Sequence, residues 1–271
     1  MKIKTTLSLI SILFVLASCR KSNPQGPEKI VVPAIEEPQP PGSTGPLKVL
    51  SRIVPSGFNA SAAIDLKYDN AHRLVQYNQG TEQVNYVYEA NRLVKITKGK
   101  DVRYLITQYT YEGNRVKTAV SPNSGDEAPA TIVFNYDGDR LTRLDHMSAG
   151  VLTATESFEY RRNNTSRITY DDGAHVRITD YTYDNRRYFD AGLKRYLLKP
   201  GELYLRAPIA DNNELTTRVE YLDEQLGFQY IISRTYTYDN TGFPLTLTTR
   251  LRTKSGIETE SKATFEYIIL E

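Results

Sequence analysis

The sequence predicts an all-β protein, a large antiparallel meander of hairpins with about 14–16 strands, curled into a wide barrel-like or wrapped sheet. Three observations carry this. A tyrosine followed by an acidic residue, a turn and an arginine recurs along the chain, as in FNYDGDRLTRL at 134–144 and VYEANRLVKI at 87–96. Tyr68, Tyr88, Tyr111, Tyr136, Tyr160 and Tyr183 follow one another at intervals of 20 to 25 residues, the length of an outgoing strand, a tight turn and a return. Twenty tyrosines stand against no tryptophan, and most repeats carry a second aromatic two residues before the tyrosine.

The amino terminus comes first. Lys2 and Lys4 open a basic start, an apolar run spans Leu7 to Leu16, and Leu16-Ala17-Ser18-Cys19 closes it. A membrane-spanning helix needs about 20 apolar residues, so residues 1–18 read as a cleaved export signal. Cys19 stands where bacterial lipoprotein signals place the lipidated residue. It is the single cysteine of the chain, which leaves none for a disulfide or a thiolate metal site.

Residues 19–46 read as the lipidated cysteine and a tether. Positions 20–46 hold seven of the thirteen prolines, and proline at this density keeps a chain extended and poor in backbone donors. At ~3.1 Å per residue the tether spans up to ~80 Å. Removing Lys2 and Lys4 from the 34 basic residues leaves 32, equal to the 32 acidic ones. A neutral exported chain argues against a nucleic-acid partner, which demands a basic surface.

Residues 47–271 read as a single all-β domain. The aromatic pairs Tyr86/Tyr88, Tyr109/Tyr111, Phe134/Tyr136, Phe158/Tyr160, Tyr181/Tyr183, Tyr236/Tyr238 and Phe265/Tyr267 are spaced i, i+2, so each pair shares one strand face. Stacked over successive hairpins they form an aromatic ladder, and burying each ring contributes ~1.5–3 kcal/mol. The segments after the tyrosines, such as Glu89-Ala90-Asn91 and Asp137-Gly138-Asp139, suit short hairpin loops. Arg73, Arg92, Arg115, Arg140 and Arg187 open the return strands, where they can face the acid across the turn. The residues alternating with the ladder, Asn85, Glu89, Asn135, Glu159 and Thr237, are too polar for a lipid-facing wall.

One interval departs from the period. Between Tyr183 and Tyr238 the alternation is lost, and Phe189, Leu193, Tyr196 and Leu197 fall at helical spacing before Pro200-Gly201, which predicts a short helical insertion near 189–199. Such a helix either caps the sheet or, within the 184–222 insertion, lines a pocket.

These hairpins resemble the YD repeats of rearrangement-hot-spot and teneurin-type shells. Taken together, the lipidation signal, the proline-rich tether and the degenerate YD-like hairpins resemble Bacteroidetes lipoproteins of unknown function. The chain departs from the YD pattern where the turn glycine before arginine is missing and where Arg161-Arg162-Asn163-Asn164 replaces the acidic turn, and it is too short for an enclosing cocoon. In lipoproteins of this type acidic residues just after the cysteine favour surface display. Arg20 and Lys21 stand there instead, so the resemblance implies an outer-membrane anchor facing the periplasm, with surface exposure as the alternative.

Catalytic and metal motifs are thin. His72, His146 and His175 are scattered and read as surface positions, without metal-ligand spacing. Asp171-Asp172-Gly173 and Asp211-Asn212-Asn213-Glu214 lack the spacing of a calcium loop. No nucleophile elbow, phosphate loop or dinucleotide fingerprint occurs, so no catalytic residue, metal or cofactor is assigned. The expectation is a lipid-anchored envelope binding or interaction protein without catalysis, holding glycan or peptide on exposed aromatic surface or docking an envelope protein. The alternatives are a structural envelope scaffold and a polysaccharide-acting enzyme whose carboxylates are paired by the fold.

Overall fold

Val84, Tyr86 and Tyr88, and again Ile132, Phe134 and Tyr136, stand at every second position, which commits one face of their strands to an interior. A computed structural model describes residues 47–57, 61–99, 104–122, 129–187, 210–223 and 226–270. The export signal, Cys19, the tether of 20–46 and the helix expected at 189–199 lie outside the described residues. The strands are β1 (Leu47–Ser56), β2 (Ile64–Tyr68), β3 (Leu74–Gln79), β4 (Glu82–Glu89), β5 (Arg92–Lys98) and β6 (Tyr104–Glu112). They continue with β7 (Arg115–Ser121), β8 (Ala130–Asp137), β9 (Arg140–Ser148), β10 (Val151–Arg161) and β11 (Asn164–Asp171). The last are β12 (Val176–Arg187), β13 (Asn212–Tyr221), β14 (Phe228–Tyr238), β15 (Pro244–Thr253) and β16 (Glu258–Leu270).

Every strand pairs antiparallel with its chain neighbours, and β1 pairs with β16, so the sixteen strands close into a barrel. Closure removes the free edges that an open meander of this length would expose. Leu47 lies opposite Leu270, so the described chain starts and ends at the end of the barrel that carries the ladder tyrosines.

Each tyrosine hairpin is built around a bulge. Tyr88 faces Leu93 while Val87 faces Lys95, leaving Val94 unmatched. The register shifts in the same way at Tyr68, Tyr111, Tyr136, Tyr160, Tyr183 and Tyr238. One extra residue in the return strand re-aims the side chains that follow. Leu93 and Ile96, Val116 and Ala119, and Leu141 and Leu144, three apart in sequence, are therefore all buried. Turn chemistry permits the tight reversal. Ala90 and Asn91 take φ values of 45° and 64°, and Gly138 takes 54°.

The tyrosine and the arginine join one hairpin to the next. Tyr88 donates its hydroxyl to the Leu74 carbonyl at 2.9 Å, Tyr111 to Leu93 at 2.7 Å, Tyr160 to Leu141 at 2.8 Å and Tyr183 to Thr165 at 2.7 Å. Each acceptor belongs to the return strand of the preceding hairpin. The arginine reaches forward: the guanidiniums of Arg73, Arg92, Arg115 and Arg140 lie 4.7–5.7 Å from the ring centres of Tyr88, Tyr111, Tyr136 and Tyr160. Arg73 and Arg92 also donate to Asn91 and Asn114 in the following turn, and Arg115 donates to Asp139. This corrects the expectation that arginine pairs with the acid of its own turn. Among the described residues the first hairpin has such a pair, Arg73 with Asp69 at 2.5 Å; in the third, Glu112 binds Lys117 instead. At the closing seam Phe243 stands at the arginine position and meets Tyr267 edge-on at 5.3 Å, while Lys48 lies 4.9 Å from the Tyr267 ring centre.

The ladder faces inward. Tyr86, Tyr109, Phe134, Tyr183 and Phe265 are buried, and Tyr88, Tyr111, Tyr136, Phe158, Tyr236 and Tyr267 pack partly buried against the same apolar cluster. That cluster runs along the inner wall from β16 through β1 to β9. The ladder rings therefore form core, and none offers the exposed stacking surface anticipated for a ligand. On the outer wall Glu159 and Thr237 are exposed, and polar pairs bridge the strands, including Thr182–Thr216 at 2.6 Å, Arg167–Asp180 at 2.6 Å and Arg250–Glu260 at 2.8 Å.

Tyr136 breaks the hydroxyl pattern. Its oxygen is buried without a hydrogen-bond partner, and burial pushes the phenol up to about 12. Tyr136→Phe is expected to be neutral or stabilising in urea denaturation, whereas Tyr111→Phe, which orphans the Leu93 carbonyl, is expected to cost about 1 kcal/mol.

Candidate functional site

The inner wall changes character between β10 and β15. Residues directly opposite one another in an antiparallel pair share a face, so the register itself lays out a charged row. Glu156 lies opposite Tyr170, Tyr170 opposite Arg177, and Arg177 opposite Tyr221. A second row runs Val219, Tyr230, Thr253. Glu156 is only 2% exposed, and its carboxylate lies 3.0 Å from Nε2 of His146, whose ring meets Tyr170 edge-on at 6.1 Å. The expectation of a surface position fails for His146: two residues after buried Leu144, it points inward. His72 and His175 do sit in turns, where His72 has φ 60° and His175 is exposed.

Toward the tyrosine end the same sector holds two carboxyls whose affinity for protons is raised. Asp184 accepts from Tyr238 and from Asn213 N and Nδ2 at 3.0 and 3.1 Å, and from Arg186 N at 2.9 Å. Burial nevertheless pushes its carboxyl above the ordinary range. Glu214 pairs with Arg234 and accepts from Thr217. Burial pushes it up to about 7 against the pull of that guanidinium. The fold thus brings two acids onto adjoining strands, as carboxylate chemistry would require, but both are fully engaged by wall residues. Their position explains this. Tyr238 has no regular hairpin before it, because the repeat is interrupted after Tyr183, and the Asp184 carboxylate replaces the backbone carbonyl that its counterparts use.

Toward the opposite end the wall opens into a cavity of about 520 Å³. Val219, Tyr221 and Tyr230 line it, and Arg177, Gln229 and Lys254 supply polar groups. Arg177 enters β12 just after the turn at 172–175, and its guanidinium lies 5.0 Å from the Tyr170 ring centre. It has no carboxylate partner among the described residues. Lys254 N donates to the Gln229 carbonyl at 2.7 Å, and Lys254 Nζ to the Leu226 carbonyl at 2.7 Å, which ties the β15–β16 turn to the start of β14. Burial raises the Tyr230 phenol above its usual value, with Arg177 opposing.

Solved structures resemble this barrel, two of them described as porin-like. A porin-like protein from Bacteroides uniformis aligns with a TM-score of 0.56 and 14% identity, over 81% of this chain and 98% of that chain. A porin-like protein from Bacteroides vulgatus aligns with a TM-score of 0.51 and 13% identity, over 82% and 99%. At that identity the likeness is one of fold. No family model and no curated protein matches the chain.

Among the sequence-based candidates, Asp171 and Asp172 spend their oxygens on the backbone amides of Gly173, Ala174 and His175 at 2.8–3.0 Å, as turn residues do. Val219 and Tyr221 reach the pocket from β13, and the helix of 189–199 expected to cap the sheet or line a pocket lies outside the described residues. Arg177, Tyr230 and Lys254 were not distinguished by sequence. Tyr221 and Tyr230 carry one weak signal, since they fall outside the ladder's spacing.

Proposed function

We propose that this chain is a lipid-anchored cell-envelope protein without catalytic activity, of the same plan as Bacteroidetes lipoproteins with YD-like hairpins, that binds a small polar ligand in the cavity of its barrel. The observation that carries the reading is polarity along the barrel axis. Leu47, where the tether from Cys19 would join, lies at the tyrosine end. The cavity lies at the other end, beside the turns that follow β11 and β15. An anchor joined there attaches the barrel by the end opposite the cavity. The porin-like neighbours support an envelope location by fold. The outer wall, with charges such as Glu159, Arg218, Arg250 and Glu266 projecting from its strands, suits a barrel that stands in water.

Non-catalytic binding is favoured because both raised carboxyls are engaged by wall residues and the cavity lining holds no acid among the described residues. The test has two parts. Cys19→Ala is expected to move the protein from the membrane fraction to the soluble fraction of the cell envelope. A panel of neutral sugars, acidic sugars and short peptides is expected to contain members that raise Tm in the parent protein and fail to do so in Tyr230→Ala. Membrane association that survives loss of Cys19, or stabilisation indifferent to Tyr230, would overturn the corresponding half. A structural scaffold is the second reading, favoured by Leu245, Ile268 and Ile269, which lie exposed at the tyrosine end. Concentration-dependent association on a sizing column is the measurement that separates it.

A further inference from the structure

Resting on the cavity reading above, we infer that the cavity selects an acidic saccharide, a sugar unit whose carboxylate is gripped by Arg177. Charge comes first. Among the described residues the lining holds two cations, Arg177 and Lys254, and no carboxylate, and the nearest acid along the row, Glu156, is engaged by His146. A guanidinium without a carboxylate partner among the described residues, lining an open cleft, retains the planar fork that binds a carboxylate through two parallel hydrogen bonds. Lys254 gives its ammonium to the Leu226 carbonyl and lacks that planar geometry.

The remaining walls favour a sugar over other acids. Tyr221 and Tyr230 present half-buried rings on which the C–H face of a pyranose can lie, with hydroxyl edges left for polar contact. Gln229, Thr253 and Ser255 line the same space with the amide and hydroxyl groups that exchange hydrogen bonds with sugar hydroxyls. The volume of about 520 Å³ lies within the range of small-molecule sites. A peptide is disfavoured for a topological reason. Peptides commonly dock by adding a strand to a sheet edge, and a closed barrel has none to offer.

The experiment titrates the purified full-length protein, in detergent micelles, with digalacturonate and with its methyl ester, which keeps the size and removes the charge. The acid is expected to bind at least about tenfold more tightly than the ester. That preference should weaken as salt rises and vanish in Arg177→Gln, while Arg177→Lys retains part of it and near-ultraviolet circular dichroism confirms native tyrosine packing. Equal binding of acid and ester would overturn the acidic assignment and leave the cavity reading standing. Preference for the acid that survives in Arg177→Gln would also overturn it. Inorganic sulfate competing as well as digalacturonate would reduce the site to a general anion site and overturn the saccharide. Failure of sugars, small acids and peptides alike to bind would remove the cavity reading itself.

Discussion

Phe134→Ala is expected to lower the stability of the barrel by about 3–5 kcal/mol, read as a fall in the urea midpoint with an unchanged slope. Phe134 sits in β8 directly opposite Leu144 and is 7% exposed, within the cluster that lines the wall from β16 to β9. Removing the ring deletes its transfer free energy and leaves a void that its neighbours cannot fill, because hydrogen-bonded strands on both sides hold them in place. A closed barrel has no edge at which to relax locally, so the loss falls on the whole cooperative unit. Thr235→Ala on the exposed outer wall, one strand face away from Tyr236, is expected to change stability by no more than about 0.5 kcal/mol. Comparable losses from these two substitutions would mean that the ladder is not the core.

Arg234→Ala is the second large effect. It strands Glu214 in the wall, where an unpaired buried charge costs about 3–5 kcal/mol. Its sign with pH follows from linkage. Glu214 has an ordinary value of 4.5 and is raised to about 7 in the fold, so between these values the folded state holds a proton that the unfolded chain has released. Stability therefore falls as pH rises across that window and levels off above it. Burial of Asp184 acts in the same direction. Glu214→Gln should remove most of the slope. In Arg234→Ala the carboxyl loses the guanidinium that pulls it down, so the window extends upward and the deficit is larger at about pH 8 than at about pH 5. The carboxyls of Asp69 and Asp239, held low by Arg73 and Lys48 among their hydrogen-bond partners, destabilise the protein only at more acidic pH. They do not mask the effect.

Much of this architecture was legible because a strand enforces a local rule. Side chains at i and i+2 share a face wherever the backbone is extended, so Tyr86 with Tyr88 and Phe134 with Tyr136 announced an inward ladder before any fold was known. The expected count of about 14–16 strands agrees with the sixteen found. Alternation misleads on the return strands. There the bulge shifts the pattern, so that Leu141 and Leu144 are both interior, and the apparent irregularity of Arg-Leu-Thr-Arg-Leu is the mark of an extra residue. The arginine was assigned to the wrong partner for a related reason. A turn acid three or four residues away is near in sequence, but strand stagger brings the next hairpin's tyrosine and turn asparagine under the guanidinium.

The cavity was not legible. Arg177, Tyr221, Tyr230 and Lys254 come from four strands or turns, with no spacing that relates them. What made them a group is the register of β11 through β15 and the closure of β1 on β16. Hairpin by hairpin, the sequence alone determined strand, turn and inward face, since each depends on contacts within about twenty residues. The folded barrel decided that one half of the inner wall is apolar and the other charged, and that Leu47 and the cavity lie at opposite ends. Those properties depend on which strands become neighbours once the sheet has closed.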